Sequence, residues 1–235
     1  MPDYPENCIQ YLTPEDWWKE DPGKKLCRGA LIETYVQFYS SIPLELVAER
    51  SEAERHNRAE VKAQPLHADG RRKTAESLPV AGLPRLDGAH CYLVNRAKKR
   101  PCLVLGAIEQ EAVDPRLTRG MSKWKSHLFF LVAPFFGVEQ VARDGYNAAF
   151  VDRIMQADYR AFFWDQLPKA GGLGSILRLD QIQPVGFEHP AYRHFGYKLS
   201  DSALCIMDEW LDWLIYNRDG GQISEYRDFI KSLDT

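Results

Sequence analysis

The stretch KSHLFFLVAPFFG, residues 125–137, constrains the fold more than any other. It is apolar nearly throughout and far too short to span a membrane, so it reads as a strand buried on both faces and ended by Pro134. Other strand-like runs share the chain with it. They are CRGALIETYVQFY (27–39), two segments at 90–94 and 102–108 flanking a basic turn, and the alternating SILRLDQIQPV (175–185). β-Branched and aromatic residues favour this assignment in the first of them. No regular crossover helices separate consecutive strands, which argues for a small antiparallel barrel or sheet and against a doubly wound fold.

Helices are expected around that core. TPEDWWKED (13–21) predicts a short helix capped by Thr13, with Pro14 in its first turn. The charged segment 43–66 predicts a helix with a thin apolar stripe through Leu46, Val47 and Ala53, followed by a polar loop over 67–89. In 145–168, Phe150, Ile154, Ala157, Ala161 and Trp164 recur at three- and four-residue spacing, as on one face of a helix. A strong helix with a Ser or Asp cap is predicted over 200–217, and SEYRDFIKSL closes the chain with another. The expected organisation is one mainly β domain with α insertions. Its barrel core covers about 27–39, 90–137 and 174–187, with helical insertions at about 43–89 and 138–170 and C-terminal helices within 200–235.

At 235 residues and 45% hydrophobic content, the chain can bury one sizeable core. A net charge of -3 gives no global basic field, so any nucleic-acid site must be a local patch. No apolar run approaches a membrane span. The opening MPDYPENCIQYL lacks the basic and apolar regions of a signal peptide. Cysteines stand at 8, 27, 91, 102 and 205, an odd count without CxxC spacing. They read as reduced thiols of a cytoplasmic protein rather than a disulfide frame or a zinc site.

The local patch is KKRPCLVLG, residues 98–106. Lys98, Lys99 and Arg100 stand together before Pro101 and an apolar strand; they either bind RNA phosphate or are solvated turn charges at the start of the strand. An arginine fork matches two phosphate oxygens and keeps its charge at any working pH. Lys123, Trp124 and Lys125 form a basic-aromatic-basic stretch able to stack a base and hold its phosphates, or a polar loop with one packed Trp. His127 is either a core-edge histidine or a general acid or base. Arg178 and Asp180, two apart, either pair with each other or line the groove beside Arg100. His189 and His194 do not have metal-ligand spacing, and GGLG (171–174) is not a phosphate loop. No cofactor or metal is expected.

Three of these stretches, in order, resemble the MazF/PemK (Kid, CcdB-like) family of type II toxin-antitoxin toxins: RGALIETYV, KKRPCLVLG and HLFFLVAPFFG. SILRLDQIQPV and the helix at 200–217 fit more loosely, and the matched parts leave large insertions between them. The resemblance implies an SH3-like small antiparallel barrel with a C-terminal helix. It also implies homodimerisation, metal-independent cleavage of single-stranded RNA, and an antitoxin protein whose acidic tail covers the RNA groove. The family's catalytic arginine maps onto Arg100, whereas its catalytic threonine, two positions after the proline, maps onto Phe136. Phenylalanine has no hydroxyl, so the alternative expectation is a catalytically lapsed module that binds RNA or a protein partner. A homodimer is expected on a second ground as well. The helix at 200–217 carries more apolar surface than one face against a small barrel would hide.

Overall fold

The computed structural model describes residues 2–39, 42–50, 52, 54–55, 58–66, 80–83, 90–107, 114, 116–117, 119–120, 129–138, 145–168, 174–187, 191–218 and 220–233. In chain order the strands are β1 (Trp18–Glu20), β2 (Ala30–Phe38), β3 (Leu44–Glu49), β4 (Glu60–Pro65), β5 (Tyr92–Val94), β6 (Arg96–Ala107), β7 (Phe129–Gly137), β8 (Phe162–Gln166), β9 (Gly174–Arg178), β10 (Gln183–Gly186) and β11 (Tyr192–Leu199). The helices are α1 (Ala148–Met155), α2 (Asp201–Tyr216) and α3 (Gly221–Leu233). The chain divides into one unit formed by residues 1–36 with 99–235 and another formed by 37–98.

The first unit is built on a curled antiparallel half-barrel sheet of eight strands. Seven run in the order β1-β11-β2-β6-β7-β9-β8, and β10 pairs with β7. Side-chain alternation along the strands separates two apolar layers. On one face Leu31, Leu103, Ala133, Phe135 and Leu177 meet Ile206, Met207, Trp210 and Trp213 of α2 and Ile223, Tyr226 and Ile230 of α3. On the other, Ala30, Ile32, Cys102, Val104, Phe130 and Val132 pack together. Each large side chain buried this way contributes about 1.5–3 kcal/mol of transfer free energy. The helix predicted at 200–217 is α2. Its Ser200 cap accepts from the Ala203 amide at 3.3 Å, and Asn217 ends it in the left-handed region.

The apolar side of α2 is spent within its own chain. Ala203, Ile206, Met207, Trp210 and Trp213 are buried, and Leu204, Leu211 and Leu214 pack at the margin of the same core. The surplus apolar surface from which a homodimer was expected is therefore reduced at this helix to Ile215 and Tyr216.

Four sequence expectations give way to other structures. Residues 13–21 form no helix. Thr13 Oγ1 donates back into the turn Ile9–Leu12, and Trp18 begins the edge strand β1. Both tryptophans are buried because their indoles converge on one carboxylate, that of Asp165. Trp17 and Trp18 Nε1 donate to it at 3.3 and 3.4 Å, and Tyr4 Oη and the Gln166 amide at 2.7 Å each. The described residues of 43–66 form two antiparallel strands, not a helix. β3 pairs with β4 on one side and β5 on the other, and this three-stranded sheet belongs to the second unit. Helix-favouring Glu and Ala are overridden there by cross-strand pairing, as propensity often is.

The third departure is at 145–168, where α1 stops early. Ala157 takes a left-handed φ of 57°, and the aromatic run Phe162–Gln166 becomes β8, which places Trp164 on a strand. The fourth is β7, which continues through Pro134 to Gly137. Pro134 stands where β7 changes partner from β10 (at 129–132) to β9 (at 135–137), so its missing N–H costs no ladder bond on that side. Nor is β7 buried on both faces, since Phe129 and Leu131 are exposed.

Candidate nucleic-acid interface

Arg100 lies within β6 rather than in a turn, because the basic stretch is itself extended. The antiparallel register of β6 on β7 pairs Leu103 with Ala133 and Cys102 with Pro134. Continued by two residues, that register sets Arg100 directly opposite Phe136, on the same side of the sheet. The side chains meet accordingly: the Arg100 Cζ sits 3.7 Å from the Phe136 ring centroid. Across β7 from β6 lies β9, whose Ile176 pairs with Phe136. Two residues on, Arg178 reaches back toward the same ring, with its Cζ 5.5 Å from the centroid. Arg178 is also 4.9 Å from the ring of Phe162, its cross-strand partner on β8. A cation-aromatic row thus crosses four strands as Arg100, Phe136, Arg178 and Phe162, each half-buried.

Asp180 fixes one end of the row. Arg178 Nε and Nη2 donate to its two carboxylate oxygens at 2.7 and 2.6 Å, a bidentate fork. Of the two alternatives for Arg178, the pair with Asp180 forms, and the guanidinium also shares the Phe136 ring with Arg100. Its Nη1 donates to Tyr146 Oη at 3.4 Å. The Asp180 hydrogen bonds hold the Arg178 guanidinium above its ordinary value, against desolvation. Burial draws Arg100 below its ordinary value, while Tyr146 and Cys102 act the other way. Both arginines remain cations at any working pH.

The other expected members of the site are arranged differently. Alternation turns Lys99 to the opposite side of β6 from Arg100. There its Nζ is 2.9 Å from Glu33 Oε2, which Arg193 of β11 also approaches at 2.8 Å. Lys99 is thus committed to a carboxylate on the far side of the strand and does not extend the Arg100 cluster. Lys98 is exposed. Lys123, Trp124, Lys125 and His127 lie outside the described residues, as does His189. His194 is enclosed. Its Nδ1 accepts from the Gly196 amide at 2.8 Å, and its Nε2 is 3.5 Å from Asp21.

Two members escaped the sequence reading. Phe162 was assigned to a helix, and Tyr146 carried no motif beyond standing next to Asn147, whose side chain caps α1. Among the described residues no three His, Cys, Asp or Glu side chains group as metal ligands, and no helix is long and apolar enough to cross a membrane. Compared with protein-family models, with curated proteins and with solved structures, the chain shows no match.

Proposed function

We propose that the chain is a MazF/PemK-like module whose SH3-like barrel binds single-stranded RNA across the face formed by Arg100, Phe136 and Arg178. One observation carries this reading: arginines from the strands on either side of β7 converge on one half-exposed aromatic ring. Guanidinium planes stack on bases and fork onto phosphates, and aromatic-cationic surfaces of this kind hold single strands with little sequence demand. The position that the resemblance assigns to a threonine is the one facing Arg100, which supports the correspondence of Arg100 and Phe136 with the family's residue pair. A homodimer and an antitoxin belong to the same reading, and an acidic antitoxin tail would compete with RNA for the two guanidiniums.

The test is equilibrium binding of a labelled, unstructured oligoribonucleotide across a salt series. Arg100→Ala and Arg178→Ala should each weaken binding about tenfold or more and flatten the salt dependence by roughly one phosphate contact. A parent chain that does not bind, or an Arg100→Ala variant that binds like the parent, overturns the reading.

A further inference from the structure

Strand β7 offers no hydroxyl opposite Arg100, yet the fold brings one to the same face from elsewhere. Tyr146 immediately precedes Asn147, the cap of α1. Asn147 caps that helix by accepting from the Ala149 amide at 2.9 Å, which fixes the backbone beside the tyrosine. The Tyr146 ring stacks on Phe150 with centroids 5.9 Å apart and planes at 23°. Phe150 is held in turn by Tyr159 and Phe162, at 5.2 and 5.5 Å. Phe162 is a member of the cation-aromatic row, so the tyrosine is anchored to the site through its ring. Its oxygen accepts from Arg178 Nη1 at 3.4 Å, and Tyr146 is among the groups that act against burial at Arg100. A half-buried phenol on a stacked aromatic base, directed at the Arg178 guanidinium, is placed to move a proton.

We infer that Tyr146 supplies the hydroxyl that Phe136 lacks and protonates the leaving oxygen when the bound RNA strand is cut. The inference rests on the RNA-binding reading above and adds a reaction to it. In that step the 2′-oxygen bonds to the adjacent phosphorus and the bond from phosphorus to the 5′-oxygen breaks. The 2′-hydroxyl proton passes to solvent water, and the Tyr146 proton passes to the departing 5′-oxygen. The products are a 2′,3′-cyclic phosphate and a 5′-hydroxyl end, and the phenolate regains its proton from solvent. Arg100 faces the negative charge that builds on the phosphorane oxygens. The ring-anchored phenol plays the part that a strand hydroxyl would otherwise play, from a different element and by a different route through the fold.

The experiment uses the full chain, a labelled single-stranded RNA and EDTA, and measures binding and cleavage separately. The variant is Tyr146→Phe, which keeps the ring and its stack on Phe150. The parent should bind and release cyclic-phosphate ends. Tyr146→Phe should bind within about twofold and cleave on the order of a hundredfold more slowly, as loss of a general acid usually does. Cleavage by Tyr146→Phe at the parent rate overturns the inference and leaves RNA binding intact. A parent that binds RNA without cutting it does the same. A parent that neither binds nor cuts overturns the RNA-binding reading beneath it.

Discussion

The carboxylate of Asp165 makes a sharp test of the physical reasoning, because its whole environment is specified. It is 2% exposed, and Tyr4, Trp17, Trp18 and the Gln166 amide all donate to it. Burial pushes its acid constant up to about 7, against the pull of those four donors. A carboxyl raised from an unfolded value of about 4 contributes stability that is complete below pH 4 and is lost as pH rises through 7. Between those values the folded chain holds one proton more than the unfolded chain. The slope is then about 1.4 kcal/mol lost per pH unit, roughly 4 kcal/mol at most over the window.

One other shifted group, His194, overlaps that window, and Glu15 acts at its acid edge. His194, lowered mainly by burial, gives stability that is lost as pH falls below its unfolded value of about 6.5, so it opposes Asp165 in the upper part. Glu15, lowered to about 2 first by its hydrogen bond with Lys19, acts only below the unfolded glutamate range. Subtraction removes both. Asp165→Asn has the shape of the protonated acid and cannot ionise. Urea unfolding followed by tryptophan fluorescence, at pH 4.5 to 7.5, gives the parent-minus-variant difference by linear extrapolation. The parent should lose about 2–4 kcal/mol relative to Asp165→Asn as pH rises across the window. A difference that is flat with pH, or one that grows in the parent's favour, would refute the argument that burial dominates this site.

Gly29 has φ +81°, and a Cβ there would lie 3.0 Å from Leu204 Cδ2 and 3.3 Å from Leu199 Cβ. Gly29→Ala should cost about 1–3 kcal/mol, read as a lowered melting temperature. Glu33→Gln leaves Lys99 and Arg193 without their shared anion. Stability should change by less than about 1 kcal/mol, while nonspecific RNA affinity at low salt rises; weaker binding would count against this account.

β2 within 27–39, β7 at 129–137 and the helix at 200–217 were readable because their apolar residues carry a strong local pattern, whereas the single strand expected over 175–185 is two, β9 and β10, separated by a turn at Leu179–Gln181. The strand pair at 44–65 was not readable, because its stabilising neighbour is distant: β5, at Tyr92–Val94, completes the sheet on β3. The run Phe162–Gln166 carries no apolar–polar alternation to mark it as a strand, and what decides is its pairing with β9, together with the left-handed Ala157 that ends the preceding helical turn. Of the candidate site, Arg100 was visible through its proline and strand, and Phe136 through its place two residues after Pro134. Tyr146 was invisible, since nothing near it in the sequence says that Arg178, 32 positions on, will be its neighbour.

The strand order has a consequence for how the chain is made. β2 is synthesised more than 150 residues before β11, yet among the described residues one of its flanks is covered by β11 alone, and β1 pairs there with β11. A nascent chain or a premature-stop product ending before residue 192 therefore carries a bare strand edge along β2, beside the apolar Ala30 and Ile32. Such an edge is a template for pairing with another chain. Shortened products of this protein are expected to aggregate rather than to persist as smaller working domains.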